Sequence, residues 1–458
     1  MDLSERQARG AKAEELVPTL LERDIDMVAT TFVDNAGITR VKSVPLQRLP
    51  QLAAWGVGAS TSFDYFRFDD WLAAPPGGTA PVGDLRILPD LRRVVPLRAQ
   101  PGWAWTPGDR YRQDGEPHER CNRLLLQRLV DDAAADDLQI KTAFEIEWVV
   151  SAGNGEDFRS AAVGPAYGMS RLIGVSDYAR DVVGALSAEG ITVEQFHPEY
   201  AIGQLELSVT AESPVDAADT SVLVRSTIRA VGRRYDYRTS FSPKVEAEGV
   251  GNGGHVHLSV WREGQNLMTG GDGPYGLTPV AEAFAAGILG RLPALLALGA
   301  PSAASYLRLV PSEWAGVYGC WGLENREAAL RMITGSAGST EWAANLEVKC
   351  MDLTANPYLL LAGLLAAGFD GLAAQGRLPE PADVDPAVLT PDELERRGIQ
   401  RLPTSLREST DALAADSVLR AALGSDLMDS VLAVRESEME LFAAASAEEV
   451  VRALRWTH

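Results

Sequence analysis

The stretch AFEIEWVV (143–150) alternates acidic residues with bulky apolar ones. Successive side chains of a β-strand point to opposite faces of the sheet, and residues two apart share a face. Glu145 and Glu147 are therefore expected on one face, with the aromatic and aliphatic residues between them on the other. The pattern predicts a strand that packs one face against the core and presents two carboxylates on the opposite face.

The same alternation recurs in three further segments, GQLELSV (203–209), GHVHLSV (254–260) and NLEVKC (345–350). Each segment is predicted to be a strand with one apolar face and one polar face. Glu199 lies a short loop before the first of them. The residues expected on the polar faces are Gln204, Glu206, Ser208, His255, His257, Ser259, Asn345, Glu347 and Lys349.

These polar faces have two interpretations. Each strand taken alone fits the solvent-exposed face of an antiparallel sheet. Taken together, carboxylates on one sheet would repel one another and acquire raised pKa values unless cations compensated them. Five carboxylates and a histidine suit hard divalent ions such as Mg²⁺ or Mn²⁺ better than Zn²⁺. The shared pattern favours the metal site over the exposed face.

Arg308, Arg326 and Arg331 could hold an anionic substrate beside such metals, although single loop arginines are more often ordinary surface residues. The sequence contains no GxxxxGK[ST] motif, which excludes a P-loop nucleotide site. The glycine-rich segment GVGNGGHVH (249–257) leads into a predicted strand and not into a helix, so a dinucleotide-binding fold is disfavoured. A phosphate held jointly by metals and arginines, as phosphoryl transfer requires, is the remaining interpretation.

Composition limits the classes of partner. The chain has 458 residues, 46% of them hydrophobic, and a formal net charge of −21. This acidic balance argues against nucleic acid or anionic membrane as a general partner. The N-terminal segment lacks a secretory signal, and the cysteines (Cys121, Cys320 and Cys350) are odd in number and widely spaced, which predicts free thiols and a cytoplasmic location.

The order of predicted elements indicates a small strand-rich N-terminal part followed by a larger mixed part. The segment DMVATTFVDNAGITRVKSVPL (26–46) is predicted to form a hairpin with its turn at DNAG. Turn-forming residues cluster at 107–121, where a domain boundary is expected. Helices are predicted over 5–22, 214–233, 279–299, 355–374, 404–422 and 427–455.

With these segments in place, the chain resembles the type I glutamine synthetases over roughly residues 25–450. The motifs that carry the resemblance are TFVDNAGITRVKSVP, GDLRILPD, FEIEW, HPEYAIGQLEL, FSPKV, GNGGHVHLSV, SYLRLVP, ENREAALR and NLEVKCMDLTANPYL, in that order. The resemblance implies an α+β fold with an N-terminal β-grasp domain (1–112). It also implies a catalytic domain (113–458) with a curved antiparallel sheet and flanking helices. Two stacked hexameric rings, with active sites between neighbouring subunits, are implied as well.

Matching motif positions imply the roles of individual residues. One metal ion, Mg²⁺ or Mn²⁺, would be bound by Glu147, Glu199 and Glu206, and a second by Glu145, His255 and Glu347. ATP, as co-substrate, would contact Glu194, His257 and Ser259, with Arg326 and Arg331 on the transferred phosphate. The amino-acid substrate would contact Gly251, Arg308 and Lys349, with Arg326 also at its reacting end. The amine site would include Asp64, Asp84, Tyr167, Glu313 and Trp314.

The implied reaction has two steps. ATP phosphorylates the γ-carboxylate of glutamate, with metals and arginines spreading the charge of the transferred group. An amine then attacks the γ-glutamyl phosphate and releases phosphate. Because amines are protonated at neutral pH, a carboxylate must bind the cation and help to remove a proton.

The sequence departs from the family pattern at the flap segment PSEWAG (311–316). Trp314 stands where the family has a glutamate that closes over the substrate, and Glu313 lies one residue early. Lys349 replaces an arginine and would act as a point charge on a substrate carboxylate. Val250 replaces an asparagine, and Ala387 stands about where some bacterial relatives carry an adenylylated tyrosine.

Three functions are compatible with these departures. The first is a ligase that joins glutamate to an organic amine, with the indole of Trp314 against the alkyl chain or the cation. The second is an ordinary ammonia-dependent glutamine synthetase that uses the displaced Glu313. The third is a non-catalytic regulatory relative. Trp314 could also be a simple hydrophobic anchor of its loop.

Overall fold

The computed structural model describes residues 1–73 and 82–458. Helix α1 starts after Asp2, whose carboxylate accepts a hydrogen bond from the N–H of Glu5 in a capping box. The strands of the N-terminal part form one sheet in the order β2-β1-β6-β4-β3, with β5 beside β6. The elements are α1 (Leu3–Leu21), β1 (Met27–Val33), β2 (Thr39–Pro45), α2 (Leu49–Trp55), β3 (Val57–Ser60), β4 (Asp84–Pro89), β5 (Val95–Pro96) and β6 (Trp103–Arg112).

Strands β1 and β2 form the predicted hairpin, which is confirmed by their antiparallel pairing. The carboxylate of Asp34 shapes the turn by accepting hydrogen bonds from the N–H groups of Ala36 and Ile38. Gly37 has φ 78°, and a Cβ at this position would lie 1.9 Å from the carbonyl oxygen of Thr354. Glycine is required here because the hairpin tip packs directly against the segment that follows Lys349.

The larger part of the chain contains a sheet of ten strands flanked by helices. Its order is β16-β13-β14-β15-β11-β7-β9-β8, with β10 beside β7 and β12 beside β11. The elements are α3 (Asn122–Ala135), β7 (Gln139–Ala152), α4 (Met169–Gly174), α5 (Ser176–Ala188), β8 (Val193–Pro198), β9 (Gln204–Val209), α6 (Pro214–Arg234), β10 (Tyr237–Ser240), β11 (Val256–Arg262), β12 (Gln265–Asn266), α7 (Pro279–Gly299), α8 (Ser305–Arg308), β13 (Tyr318–Leu323), β14 (Ala328–Ile333), α9 (Thr340–Ala343), β15 (Asn345–Val348), α10 (Pro357–Ala373), α11 (Pro391–Arg397), β16 (Gln400–Arg401), α12 (Leu406–Ala415), α13 (Ser417–Leu423), α14 (Ser425–Leu441) and α15 (Ala447–Leu454).

The predicted division of the four decisive strands into faces is confirmed. Phe144, Ile146 and Trp148 are at most 3% exposed and belong to the main core, as do the aliphatic residues of β9, β11 and β15. In the sheet register Glu147 lies opposite Glu206. In the pairing of β11 with β15, His257 lies opposite Glu347. Antiparallel pairing therefore places the acidic and basic side chains of separate strands next to one another.

Two predicted helices are each divided in two. The helix expected over 404–422 consists of α12 and α13, because Asp416 ends the first and caps the second by accepting hydrogen bonds from the N–H groups of Val418 and Leu419. The helix expected over 427–455 consists of α14 and α15, and Ser446 begins the second with a capping box. In both cases a short polar side chain competes with helix continuation.

Among the described residues, α7 is the one helix long and apolar enough to cross a bilayer, and 67% of its most apolar window is buried inside the protein. It packs against α10 in the main core. The three cysteines are buried free thiols, as predicted.

Arg123 on α3 joins the two sheets. Its guanidinium binds Asp90 at 2.8 Å and Asp109 at 2.9 Å from the N-terminal part, and Asp219 on α6 at 2.9 Å. Arg123 and Asp219 are buried, so this cluster fixes the N-terminal sheet against the larger part. The α+β class is confirmed, while the boundary between 112 and 113 stays a prediction.

Candidate active site

A cavity of 760 Å³ opens on the polar face of the large sheet. Its walls combine residues of β7, β8, β9, β11, β14 and β15 with the loops that carry Tyr167, Glu199, Gly251, Glu313 and Arg326. The predicted site residues that line it are Glu145, Glu147, Tyr167, Glu199, Glu206, Gly251, His255, His257, Arg308, Glu313, Trp314, Arg326, Arg331, Glu347 and Lys349.

A second cavity of 540 Å³ adjoins the first. Glu194 and Ser259, both predicted to contact ATP, line this second cavity. Trp261 and Trp342 line it as well, and the sequence pattern did not single them out; flat aromatic rings suit the face of a purine base. The two cavities share Glu145, Gln195 and His257.

Asp64 and Asp84 lie in the N-terminal part and line neither cavity. The side chain of Asp64 is 1% exposed, is ion-paired with Arg110, and lies 2.7 Å from Nε2 of His118. Burial raises the pKa of Asp64, but Arg110 and His118 together lower it below its usual value. These buried partners occupy the carboxylate, which argues against direct contact with an amine. Asp84, by contrast, is partly exposed.

Glu145, His255 and Glu347 form one group that could hold a metal ion, with ligand atoms all within 4.8 Å of one another. Nδ1 of His255 lies 2.9 Å from Oε2 of Glu145 and 3.3 Å from Oε1 of Glu347. His257 lies 3.1 Å from the other oxygen of Glu145. Burial lowers the pKa of His257, but Glu145 opposes this and raises it to about 9. The donor set is oxygen plus one imidazole, which fits Mg²⁺ or Mn²⁺.

Two cations compensate Glu347, which is 1% exposed. Lys349 Nζ lies 2.9 Å from one carboxylate oxygen, and Arg331 Nη1 lies 2.9 Å from the other. Burial raises the pKa of Glu347, but Lys349 and the two histidines lower it to about 2. The carboxylate is therefore ionised at neutral pH, as a metal ligand must be.

His197, Glu199 and Glu206 form a second group that could hold a metal ion. Nε2 of His197 lies 3.3 Å from Oε1 of Glu206, and Nδ1 lies 3.8 Å from Oε1 of Glu199. The hydrogen bond to Glu206 raises the pKa of His197 to about 9, despite the cost of burial. His197 was not among the predicted site residues, although it stands only two residues before Glu199, near the end of β8.

Glu147 adjoins this second group but has other partners. Its Oε2 accepts hydrogen bonds from Gln204 at 2.7 Å and from the N–H of Gly253 at 2.8 Å. Burial raises its pKa to about 7, with Arg308 opposing the shift and Glu199 adding to it. A divalent cation between Glu147 and Glu199 would relieve this repulsion, so the residues present fit the predicted ion.

Arg308 is positioned to bind an anion. It is 5% exposed, and its Nη2 donates to the carbonyl of Lys349 at 3.1 Å and lies 3.3 Å from Nε2 of His255. Its Nη1 is buried and has no hydrogen-bond partner among the residues that the structure describes. A substrate carboxylate in the cavity would supply that partner.

The flap segment (311–316) has a constrained backbone. Ser312 and Trp314 have φ of 59° and 58°, a region that costs L-residues free energy. The N–H of Trp314 donates to Oε1 of Glu327 at 2.8 Å, which holds the turn. The indole is 42% exposed, and both it and Glu313 line the first cavity. The acid and the aromatic ring therefore face the same space.

Residues 119–453 match the family model described as glutamine synthetase, catalytic domain. The chain belongs to the glutamine synthetase family. A gamma-glutamylpolyamine synthetase, GlnA3 of Streptomyces coelicolor, is 52% identical over 98% of this chain and 97% of its own length. The glutamine synthetase of Methanocaldococcus jannaschii is 33% identical over 94% of this chain and 95% of its own.

Solved structures agree with these relatives. A glutamine synthase homologue superposes with a TM-score of 0.84 at 35% identity, covering 95% of this chain and 99% of its own. A GmaS/ADP complex superposes with a TM-score of 0.83 at 27% identity, covering 94% and 97%.

Membership of this family makes the chain an ATP-dependent carbon–nitrogen ligase. It forms a γ-glutamyl amide from glutamate and an amine through γ-glutamyl phosphate, and the family uses divalent metal ions. The non-catalytic alternative is not supported, since the predicted acidic ligands and the arginines Arg326 and Arg331 line one cavity.

Proposed function

We propose that the acceptor is a polyamine and that the product is a γ-glutamyl polyamine. The observation that carries this proposal is the indole of Trp314, which lines the cavity at the flap position where ammonia-using relatives carry a glutamate. The name of the Streptomyces coelicolor relative supports the same acceptor class. A ring at this position offers apolar contact to a methylene chain and a π-face to an ammonium group.

The lining residues divide the first step between them. Arg308 binds a carboxylate of glutamate through its Nη1, which has no partner among the residues that the structure describes. Gly251 packs against the carbonyl oxygen of Pro243, from which a Cβ would lie 2.0 Å away, and its backbone lines the cavity beside the substrate. An oxygen of the γ-carboxylate bonds to the γ-phosphorus of ATP, and the bond to the bridging oxygen of ADP breaks. Arg326 and Arg331 neutralise the oxygens of the transferred group.

In the second step the amine nitrogen attacks the γ-carbonyl carbon, and the C–O bond to phosphate breaks. The ammonium group must first lose a proton to a carboxylate, and Glu313 is the acid that the flap offers. Tyr167, 58% exposed at the rim, adds a polar hydroxyl beside Glu199.

Two divalent ions, Mg²⁺ or Mn²⁺, belong to the proposal. Bound to Glu145, His255 and Glu347, and to Glu199 and Glu206 with Glu147 or His197, they would neutralise phosphate oxygens. The nucleotide base would lie in the second cavity beside Glu194 and Ser259. Two stacked hexameric rings and a cytoplasmic location are part of the same proposal. In such rings the partly exposed Asp84, and not the buried and ion-paired Asp64, is the acid proposed to reach a neighbour's cavity.

A second candidate is an ordinary glutamine synthetase. It is favoured by one observation, namely that Glu313 lines the same cavity as Trp314 and could receive a proton from ammonium.

A panel of amines separates the two candidates. Phosphate release would be measured with glutamate, ATP and Mg²⁺ in the presence of ammonium, ethanolamine, putrescine, spermine, isopropylamine or aniline. We expect putrescine or spermine to give the highest kcat/KM. The proposal would be contradicted if ammonium, used at low millimolar concentration, gave the highest kcat/KM of the panel.

Replacing Trp314 with glutamate restores the family's flap acid. We expect kcat/KM for ammonium to rise about tenfold and that for spermine to fall by a similar factor, because the carboxylate binds the small cation and the apolar wall is lost. Trp314→Phe is the matched control, since it keeps an aromatic ring. An unchanged preference in Trp314→Glu would show that the indole only anchors its loop.

A further inference from the structure

Tyr200 stands opposite Trp314 at the cavity, on a different loop. It follows Glu199 in the connection between β8 and β9, lines the first cavity and is 47% exposed. The centroids of the two rings are 5.0 Å apart, at an angle of 57° between their planes. Two half-exposed aromatic rings therefore form one continuous apolar wall in a cavity otherwise lined largely by charged groups.

The backbone that carries each ring is held by a hydrogen bond to a carboxylate. The N–H of Tyr200 donates to Oε2 of Glu199 at 2.7 Å, and the N–H of Trp314 donates to Oε1 of Glu327 at 2.8 Å. The hydrogen bond to Glu199 links the backbone of Tyr200 to the second candidate metal group. The hydrogen bond to Glu327 stabilises the left-handed backbone of Trp314. These bonds restrain the two loops close to the reacting centre, which lowers the cost of ordering their backbone around a ligand.

The charge around the wall indicates the kind of ligand it binds. Glu199 and Glu313 flank the two rings and line the same cavity. Carboxylates beside aromatic faces suit a cation with an apolar body, because the rings contact methylene groups and attract ammonium groups through their π-faces. Ammonium itself has no methylene group with which to contact the wall.

We propose that the Tyr200–Trp314 wall is the subsite for the methylene chain of the acceptor, and that Tyr200 sets the preference for long over short amines. This inference rests on the proposed polyamine acceptor and deepens it. The chain between the reacting nitrogen and the next ammonium group lies along the two rings, and Tyr200 acts through contact with the chain alone.

The test compares Tyr200→Ala, Tyr200→Phe and wild type with ethylamine, 1,3-diaminopropane, putrescine, cadaverine and 1,6-diaminohexane. In wild type kcat/KM is expected to rise with chain length. In Tyr200→Ala the ratio of kcat/KM for 1,6-diaminohexane to that for ethylamine is expected to fall at least tenfold, mainly through KM. Tyr200→Phe is expected to keep this ratio within threefold of wild type.

Tyr275→Ala is the matched control, because Tyr275 is 42% exposed and lines neither of the cavities described above. An unchanged ratio in Tyr200→Ala, or an equal loss with every amine, would overturn the role of Tyr200. If those results came with good polyamine turnover in wild type, the proposed function would stand while this inference failed. If wild type used ammonium alone, both would fail.

Discussion

Replacing Glu347 with alanine is expected to lower kcat by about three orders of magnitude. Glu347 is buried between Lys349, Arg331 and His255, and it belongs to the first candidate metal group. The substitution removes one candidate ligand and leaves the buried Lys349 and the partly exposed Arg331 without their shared carboxylate. The metal ion that neutralises the transferred phosphoryl group would lose a ligand, and Lys349 and Arg331 would lose the carboxylate that positions them.

The measurement is phosphate release at saturating glutamate, ATP and putrescine. Because removing one member of a buried ion cluster can cost about 3–5 kcal/mol of stability, thermal unfolding of the same variant must be recorded. Glu347→Gln keeps the shape and part of the hydrogen bonding, so it reports the loss of charge if the alanine variant unfolds. Glu380→Ala, an exposed glutamate away from both cavities, is the control. Activity of Glu347→Gln within tenfold of wild type would contradict the metal assignment.

Replacing Arg308 with alanine is expected to raise KM for glutamate about 100-fold. The arginine is buried, and its Nη1 has no hydrogen-bond partner within the described ranges 1–73 and 82–458. Its remaining contacts to Lys349 and His255 hold the guanidinium toward the cavity. A substrate carboxylate that loses this partner would be left unpaired in a site of low dielectric constant. KM for ATP should change far less, since the second cavity does not include Arg308.

Arg308→Lys is the matched variant for this prediction. It keeps the charge but not the fork of donors, so an intermediate rise in KM for glutamate is expected. KM for glutamate is measured for wild type, Arg308→Ala and Arg308→Lys. Glutamate is varied at fixed ATP and putrescine, and phosphate release is the readout. Equal KM values for glutamate in wild type and Arg308→Ala would remove Arg308 from the substrate site.

Much of this site could be predicted because strand periodicity is local. The alternation in β7, β9, β11 and β15 was sufficient to assign Glu145, Glu206, His255 and Glu347 to polar faces, and the register then brings them together. His197 was missed because its strand shows little alternation, although its distance from Glu199 in sequence was a usable signal. Aspartate is a preferred helix-capping residue, so Asp416 was a sequence signal for the division of the helix predicted over 404–422.

Other features depend on contacts between distant segments, which no local pattern contains. The carboxylate of Asp64 is occupied by Arg110 and His118, which lie far along the chain. The backbone of Trp314 depends on Glu327, and the aromatic wall exists only because two loops meet. Sequence periodicity carries no information about which loop side chains come together, so Tyr200 could be found only in the structure.

The most direct test of the proposed acceptor is a competition. Purified enzyme would be incubated with Mg²⁺, limiting ATP, saturating glutamate and equal concentrations of ammonium and spermine. The products would then be separated by chromatography and quantified by mass spectrometry. γ-Glutamylspermine is expected as the main product, and the amounts of ADP and of phosphate should each equal the sum of γ-glutamylspermine and glutamine. Glutamine as the main product would contradict the assignment of a polyamine acceptor.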